Sequence, residues 1–284
     1  MKFRNLIFIF FCLLPLIGNT QSASVAAHQK NKKAEFFSLN NVLGKPGYIL
    51  APSASEIPQP FQMGVSWLPP EISFSDNEYN TSSQDGSLIY HFGVSLTDFF
   101  QVNINITYGI NRPRTGIGDR QLDFRFRLLT ERKHWPGLIL ILAPPGAYTN
   151  YLAHNAVVAT KTFSFNSTHK ILEVTGGYGL PYNFAGLSVI NKTPFEFYDK
   201  RAGGLWYLNS FFAAAAIHPA PWLSFSTEIT NRTAAAALTF RKSNYIMAQI
   251  NWFPSVGLGG SLNFNIPLDF DAPELRHFRK RNVL

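Results

Sequence analysis

The sequence predicts an all-β protein, a transmembrane antiparallel β-barrel of about twelve strands with a short N-terminal segment that lines or plugs its lumen. Apolar and polar residues alternate strictly in stretches such as QVNINITY (101–108) and QLDFRFRL (121–128), as expected when one face of a sheet is apolar and the other is wet. No sustained helical period follows the N-terminus. Long and short connections alternate, which is typical of barrels with turns on one side and loops on the other.

Residues 1–22 have the three regions of a secretory signal peptide. Lys2 and Arg4 precede an apolar run from Leu6 to Ile17, which is too short to span a bilayer as a helix. We expect cleavage between Asn19 and Ala23, with a retained anchor as the alternative. The only cysteine, Cys12, lies in this run, so the predicted mature chain has no disulfide and no thiolate site.

Strand signals continue through residues 61–268, the predicted outer-membrane barrel. The expected external loops are 68–86, 109–119, 144–155 and 179–202, rich in Pro, Gly, Asn and Asp. A water-soluble sandwich would show the same alternation, so the loop pattern decides for the barrel. The twelve predicted strands are 62–67, 87–96, 99–108, 120–129, 137–143, 156–165, 170–178, 203–213, 222–230, 233–241, 244–252 and 258–266.

Composition agrees with this fold class. Aromatic residues form 15% of the chain and charged residues only 15%, against roughly 25% charged in an ordinary soluble domain. Aromatics near strand ends, such as Trp67, Tyr108, Trp222 and Trp252, are typical of the girdles at membrane interfaces. The net charge of +8 is concentrated at the two ends, including a basic C-terminal tail at 269–284, and a secreted chain gives no reason to expect a nucleic-acid partner.

The segment 23–60 differs from the barrel that follows it. Four prolines, at 46, 52, 58 and 60, argue against a central strand. We expect this segment to associate with the lumen.

Four motifs in this chain resemble, in order, those of the YjbH-like family of outer-membrane β-barrels encoded with exopolysaccharide and capsule genes in Gram-negative bacteria. The motifs are GKPGYILAPSA (44–54), FQMGVSW (61–67), GIGDRQLDFRFRLLTER (116–132) and PGLILILAPPGAYTNYLAHNAVVATKTF (136–163). The resemblance covers about residues 44–180. It implies a barrel that takes part in building or exporting an extracellular polysaccharide.

The chain predicts no metal site, no cofactor and no catalytic residues. Its seven histidines lack the spacing of a metal motif, and GIGD (116–119) lacks the lysine and helix of a phosphate loop. A barrel hydrolase is the rival interpretation, since His91 and Ser224 or Ser226 are expected to point inward.

The remaining candidates line the lumen. If Leu122, Phe124, Phe126 and Leu128 face outward, the pleat turns Asp123, Arg125 and Arg127 inward, and an arginine facing lipid at midplane would cost roughly 2 to 4 kcal/mol. These charges either pair to brace a narrow barrel or line a wet path for sugar chains. The lumen-lining candidates are Asp123, Arg125, Arg127, Lys161, Glu173, Glu228 and Arg241.

The sequence therefore predicts a non-enzymatic component of exopolysaccharide or capsule biosynthesis or export in the cell outer membrane. Its expected partners are outer-membrane lipid, polysaccharide and other polysaccharide-export proteins. A general small-solute channel and an outer-membrane barrel hydrolase are the alternatives.

Overall fold

The structure is a computed structural model that describes residues 38–56, 61–72, 86–110, 119–144, 153–165, 170–185, 196–202, 206–242, 245–254 and 256–266. The predicted signal peptide (1–22), the basic tail (269–284) and the middles of the four predicted external loops lie outside the described residues. The strands are β1 (Phe61–Leu68), β2 (Ser87–Thr97), β3 (Phe100–Gly109), β4 (Asp119–Leu129), β5 (Gly137–Leu142), β6 (Ala156–Phe165), β7 (Lys170–Gly179), β8 (Tyr182–Ala185), β9 (Glu196–Asp199), β10 (Phe211–Ala220), β11 (Leu223–Ile229), β12 (Ala234–Lys242), β13 (Ile246–Phe253) and β14 (Gly257–Ile266).

Twelve of these strands form one closed antiparallel barrel, in the order β1-β14-β13-β12-β11-β10-β7-β6-β5-β4-β3-β2. The seam pairs β1 with β14 from Phe61↔Ile266 to Trp67↔Gly260. Closure leaves no unpaired sheet edge. The predicted all-β, twelve-stranded antiparallel barrel is confirmed.

The barrel has two distinct ends. At the turn end lie the start of β1, the end of β14 and the short connections 98–99, 130–136 and 221–222. At the loop end lie the long connections, of which the longest, 180–210, contains the separate two-stranded sheet of β8 and β9.

The polarity of the wall is inverted relative to a soluble protein. Inward side chains are mostly amides, hydroxyls and charges that are almost fully buried, such as Asn105, Asp123 and Asn251. Many outward side chains are apolar and more than a third exposed, including Ile104, Val174, Phe225, Ile250 and Leu262. Among the described residues, no helix is long and apolar enough to cross a membrane.

One predicted strand was wrong. The prediction placed a strand at 203–213, whereas β10 runs from Phe211 to Ala220 and meets β11 through a tight turn at 221–222. The sequence FFAAAAIHPA gave no strand signal because alanine has low β-propensity and Pro219 usually ends a strand. Pairing to β7 on one side and β11 on the other holds this stretch in the wall.

The chain was also expected to carry an irregular loop at 179–202. Two short strands pair there instead, with Tyr182↔Asp199 and Asn183↔Tyr198 in register. Pro181 and the many small polar residues nearby favoured a loop. A four-residue strand is too short to produce a periodic signal.

Candidate functional site in the barrel lumen

Residues 38–56, here called the plug, fill the lumen. The plug is folded on itself by backbone hydrogen bonds, including Val42 N to Ile49 O and Ser53 N to Pro46 O, each of 2.8 Å. Its residues from Ser38 to Ala54 are buried. Gly44 adopts φ +71°, a conformation that side chains disfavour.

The plug enters and leaves at the turn end. Near its start, the side-chain nitrogen of Asn40 donates to Asn265 Oδ1 over 3.3 Å, and Asn265 is the penultimate residue of β14. Near its finish, Ser38 Oγ donates to the Glu56 carbonyl over 2.8 Å. In between, the plug reaches Tyr207 of the loop end, whose hydroxyl donates to Leu50 O over 2.8 Å.

Glu228 of β11 is the most specific anchor of the plug. Its carboxylate accepts hydrogen bonds from three consecutive backbone N–H groups, those of Ile49, Leu50 and Ala51, over 2.8 to 3.0 Å. Successive backbone N–H groups that converge on one point form an anion-binding nest. The carboxylate of Glu228 thus supplies the hydrogen-bond acceptors that these buried backbone N–H groups would otherwise lack.

A second anchor joins Lys45 of the plug to Asp123 of β4. Lys45 Nζ lies 2.5 Å from Asp123 Oδ2, and both side chains are fully buried. Burial lowers the pKa of Lys45, and the charge of Asp123 opposes that shift. Asn103 supplies a further hydrogen bond to Asp123 over 3.1 Å.

His154 extends this anchor toward the loop end. Its Nε2 lies 3.3 Å from Lys45 Nζ, and its Nδ1 lies 3.2 Å from the Gln121 side-chain amide. The same Gln121 nitrogen donates to Asp123 Oδ2 over 3.4 Å, so Gln121 joins His154 to the Lys45–Asp123 pair.

A third group of contacts holds the end of the plug. Glu173 of β7 accepts hydrogen bonds from Ser53 Oγ and Ser55 Oγ over 3.1 and 2.7 Å. Arg125 of β4 donates to the carbonyls of the same two serines, over 3.2 and 2.7 Å. Tyr48 Oη lies 2.7 Å from Thr175 Oγ1, and burial raises the pKa of Tyr48, so this phenol stays neutral.

Apolar inward side chains cover the apolar part of the plug. Ile139 and Ile141 of β5 and Val158 of β6 are fully buried in one cluster with Leu43, Ile49 and other plug residues. This contact explains why GLILIL (137–142) is apolar on both faces of the sheet, since one face meets the plug.

The other predicted lumen residues lie at the turn end. Arg127 is inward on β4 and approaches Glu56, with 3.8 Å between Nη1 and Oε1. Arg241 shares the inward face of β12 with the buried Thr239.

The prediction for Lys161 was wrong, because this residue does not line the lumen. Thr160, the neighbouring residue, is buried and accepts from Ala54 N over 2.7 Å, so period two places Lys161 on the outer face. There it pairs with Glu131 over 3.1 Å and donates to the carbonyl of Arg132. The inward face of AVVATKTFSF was assigned wrongly from the sequence because both faces of this strand contain apolar residues.

His91 occupies a narrow gap between the plug and the wall. Its Nε2 lies 2.8 Å from Asn263 Oδ1 of β14. A Cβ added at Gly44 would lie 2.1 Å from the ring, and one added at Gly64 would lie 2.4 Å from Nε2. Two glycines therefore make room for the imidazole.

The hydrolase hypothesis required His91 together with Ser224 or Ser226, and the structure does not bring them together. His91 is on β2, whereas both serines are on β11. His218 of β10 lies near Ser224 instead, with 2.7 Å between Nδ1 and Oγ. The described residues contain no group of three or more metal-ligating side chains.

Sequence reasoning missed the plug side of every anchor. Lys45, Ser53 and the backbone N–H groups of 49–51 gave no motif, because a nest is made by backbone conformation and not by residue type. A usable signal was present in the lumen charges, because buried carboxylates such as Asp123 and Glu228 need donors nearby, and the proline-rich segment that precedes the barrel could supply them.

In comparisons with known proteins, no protein-family model matches the chain and no curated protein matches it.

Proposed function

We propose that this protein is a non-enzymatic outer-membrane β-barrel whose plugged lumen takes part in exopolysaccharide or capsule biosynthesis or export. One observation carries the proposal. The stretch that resembles the YjbH-like opening, residues 44–54, is the part of the plug that Asp123, Arg125, Glu173 and Glu228 hold. The resembling segment and the lumen charges thus form one site.

The outer surface of the barrel supports the outer-membrane location. The apolar side chains on the outward face of the barrel strands form a continuous exposed surface, and a surface of this kind marks a membrane or protein contact. Aromatic side chains flank it at both ends: Trp67, Tyr108 and Trp252 at the loop end, and Trp135 and Trp222 at the turn end, each at least 37% exposed. Closed barrels with this arrangement satisfy every backbone group in lipid.

The filled lumen speaks against a general small-solute channel. An open pore requires a continuous wet path, whereas plug and wall here bury each other from Ser38 to Ala54. Planar-bilayer recordings of the purified chain provide the test. Steady ohmic conductance from the unmodified protein would refute a plugged resting state, and we expect conductance close to that of the bare membrane.

The proposed role is tested in cells. Deleting the gene should abolish or reduce surface polysaccharide, and expression of the wild-type chain should restore it. Complementation with Glu228→Gln should restore less polysaccharide than complementation with Thr227→Ala, a matched change at the adjacent outward position. Unchanged polysaccharide after deletion would overturn the proposal.

The hydrogen bond between His218 and Ser224 keeps a barrel hydrolase as the second candidate. A fluorophosphonate probe tests it directly, since an activated serine is labelled and an ordinary one is not. Labelling of the wild type but not of Ser224→Ala would establish the hydrolase and remove the non-enzymatic assignment.

A further inference from the structure

Charge is distributed unevenly around the inner wall. The inward positions of five adjacent strands, β13, β14, β1, β2 and β3, contain no Asp, Glu, Lys or Arg. The inward charges among the side chains that the structure describes lie on the rest of the wall, namely Asp123, Arg125, Arg127, Glu173, Glu228 and Arg241. We call the five strands the neutral wall and the remaining seven the charged wall.

The charged wall has its partners in the plug. Its carboxylates and Arg125 bind Lys45, the nest at 49–51 and the end of the plug. The neutral wall makes few hydrogen bonds to the plug: Asn265 with Asn40, Gln249 with the Tyr48 carbonyl, and the Met247 thioether with Asn40 N.

Polar groups of the neutral wall are left without protein partners. Twelve buried side-chain nitrogen and oxygen atoms on these five strands have no hydrogen-bond partner among the described residues. Asn105 and Asn251 are each fully buried, and both atoms of each amide are among the twelve. Others belong to Gln62, Ser66, Gln101 and Thr107.

A buried amide without a partner destabilises the folded protein, so even one calls for an explanation. Here several of them are neighbours. In register, His91 pairs with Asn105 and Ser95 pairs with Gln101, and each of these four side chains has an atom without a partner in the part of the chain that the structure describes. Along β3, the inward residues Gln101, Asn103, Asn105 and Thr107 repeat at about 7 Å, twice the rise per residue.

We propose that the neutral wall is a binding surface for an uncharged, hydroxyl-rich chain, a neutral glycan segment, which it contacts when the plug is displaced. Amides and hydroxyls both donate and accept, as the hydroxyls of a sugar do. A wall with no fixed charge does not select an anionic polymer. This inference rests on the proposed function and adds the chemistry of the substrate.

The test uses the full-length chain carrying Glu228→Ala, which removes the plug's nest anchor, in a planar bilayer. Maltohexaose is the neutral probe, and a galacturonate hexamer is the anionic probe. We expect maltohexaose to interrupt the current and Asn105→Leu to shorten each interruption about tenfold, the equivalent of one or two neutral hydrogen bonds. Asn251→Leu should act in the same direction.

Two buried serines without a partner provide the matched control. Ser66 lies on the neutral wall and Ser226 on the charged wall. Ser66→Ala should shorten the interruptions, and Ser226→Ala should not. Equal effects of the two changes, or interruptions by galacturonate at least as long as those by maltohexaose, would overturn the inference.

Calorimetric titration of the same variants in detergent keeps the test decisive if Glu228→Ala does not conduct. A heat of maltohexaose binding that is present in Glu228→Ala and lost when Asn105→Leu is added supports the inference. Absence of maltohexaose binding in both assays overturns it. Loss of polysaccharide on gene deletion is read separately. Polysaccharide loss without maltohexaose binding removes only this inference, whereas binding without polysaccharide loss removes the proposed function.

Discussion

Replacing Glu228 tests how the plug is held. The Glu228 carboxylate accepts three backbone N–H groups from Ile49, Leu50 and Ala51. Glu228→Gln keeps the shape and one oxygen but loses the charge, and Glu228→Ala removes both acceptors. The two variants therefore weaken the same contact to different extents.

The expected magnitudes follow from the number of donors. A glutamine oxygen at the Oε2 position still accepts from all three N–H groups, but its NH2 group faces the Leu50 N–H that Oε1 accepts from in the wild type. The loss is therefore at least that of charge assistance, about 1.5 to 3 kcal/mol. Alanine leaves three buried donors unsatisfied at about 1 to 3 kcal/mol each, an upper bound that relaxation and water reduce. Since about 1.4 kcal/mol is tenfold in an equilibrium, Glu228→Gln should raise the displaced fraction at least tenfold.

Cysteine labelling measures that fraction. Ser53 is fully buried in the plug, so Ser53→Cys in a Cys12→Ala background reacts with a maleimide only when the plug leaves. Labelling should rise in the order wild-type Glu228, Glu228→Gln, Glu228→Ala. Heat-modifiable migration on gels shows that the barrel itself remains folded.

The outward neighbour supplies the control. Thr227→Ala lies one residue away on the exposed face of β11 and should label like the parent. The reasoning is refuted if both Glu228 variants label no faster than Thr227→Ala while the barrel stays folded. That result would mean that the nest is not what retains the plug.

Three further perturbations have distinct outcomes. Lys45→Met should destabilise the plug by roughly 3 to 5 kcal/mol because it leaves the Asp123 carboxylate buried without its ion-pair partner, and adding Asp123→Leu should recover much of that loss. The same labelling assay checks both variants, and strictly additive effects of the two substitutions would contradict the pairing. Gly64→Ala should prevent closure of the barrel between β1 and β14, since its Cβ would lie 2.3 Å from the Leu262 carbonyl oxygen. The Cβ of Gly176→Ala would meet open space, so that variant should fold normally. Gel mobility distinguishes the two, and two normally folded variants would contradict the expectation. Lys200, which follows β9, is buried and donates to the carbonyls of Tyr207 and Leu208. Burial lowers the pKa of Lys200 to about 7, so the state with Lys200 buried binds fewer protons than the state with Lys200 exposed and becomes more stable as pH rises from about 7 toward 10. Hydrogen exchange of the Lys200, Tyr207 and Leu208 amides, corrected for intrinsic rate, should show this slope and Lys200→Met should flatten it, while an unchanged slope in that variant would exclude Lys200 as its source.

The barrel could be predicted from sequence because one face of each strand differs sharply from the other. Polar and apolar residues alternate without exception from Gln101 to Tyr108, and burial alternates throughout Ile246 to Phe253. The prediction was wrong where that contrast is weak: the alanines of β10 suit either face, and Lys161 lies among residues whose two faces are both apolar. Period two specifies a face only when the two faces meet different surroundings.

The plug interior was beyond sequence reasoning for a different reason. Charges in the wall, such as Asp123, were assigned inward from the pleat alone, without knowledge of what they meet. Their partners depend on backbone turns like that at Gly44 and on contacts between residues as far apart as Lys45 and His154. No local pattern encodes such contacts.

The plug bridges the seam of the barrel. Residues 57–60 connect it directly to β1, which forms one lip of the seam, and Asn40 is hydrogen-bonded to Asn265 on the other lip. Separating β1 from β14 must therefore break that bond or drag the plug away from Glu228. The plug thus acts as a clasp across the seam, and sideways opening of the wall strains its covalent link to β1 and its hydrogen bond to β14.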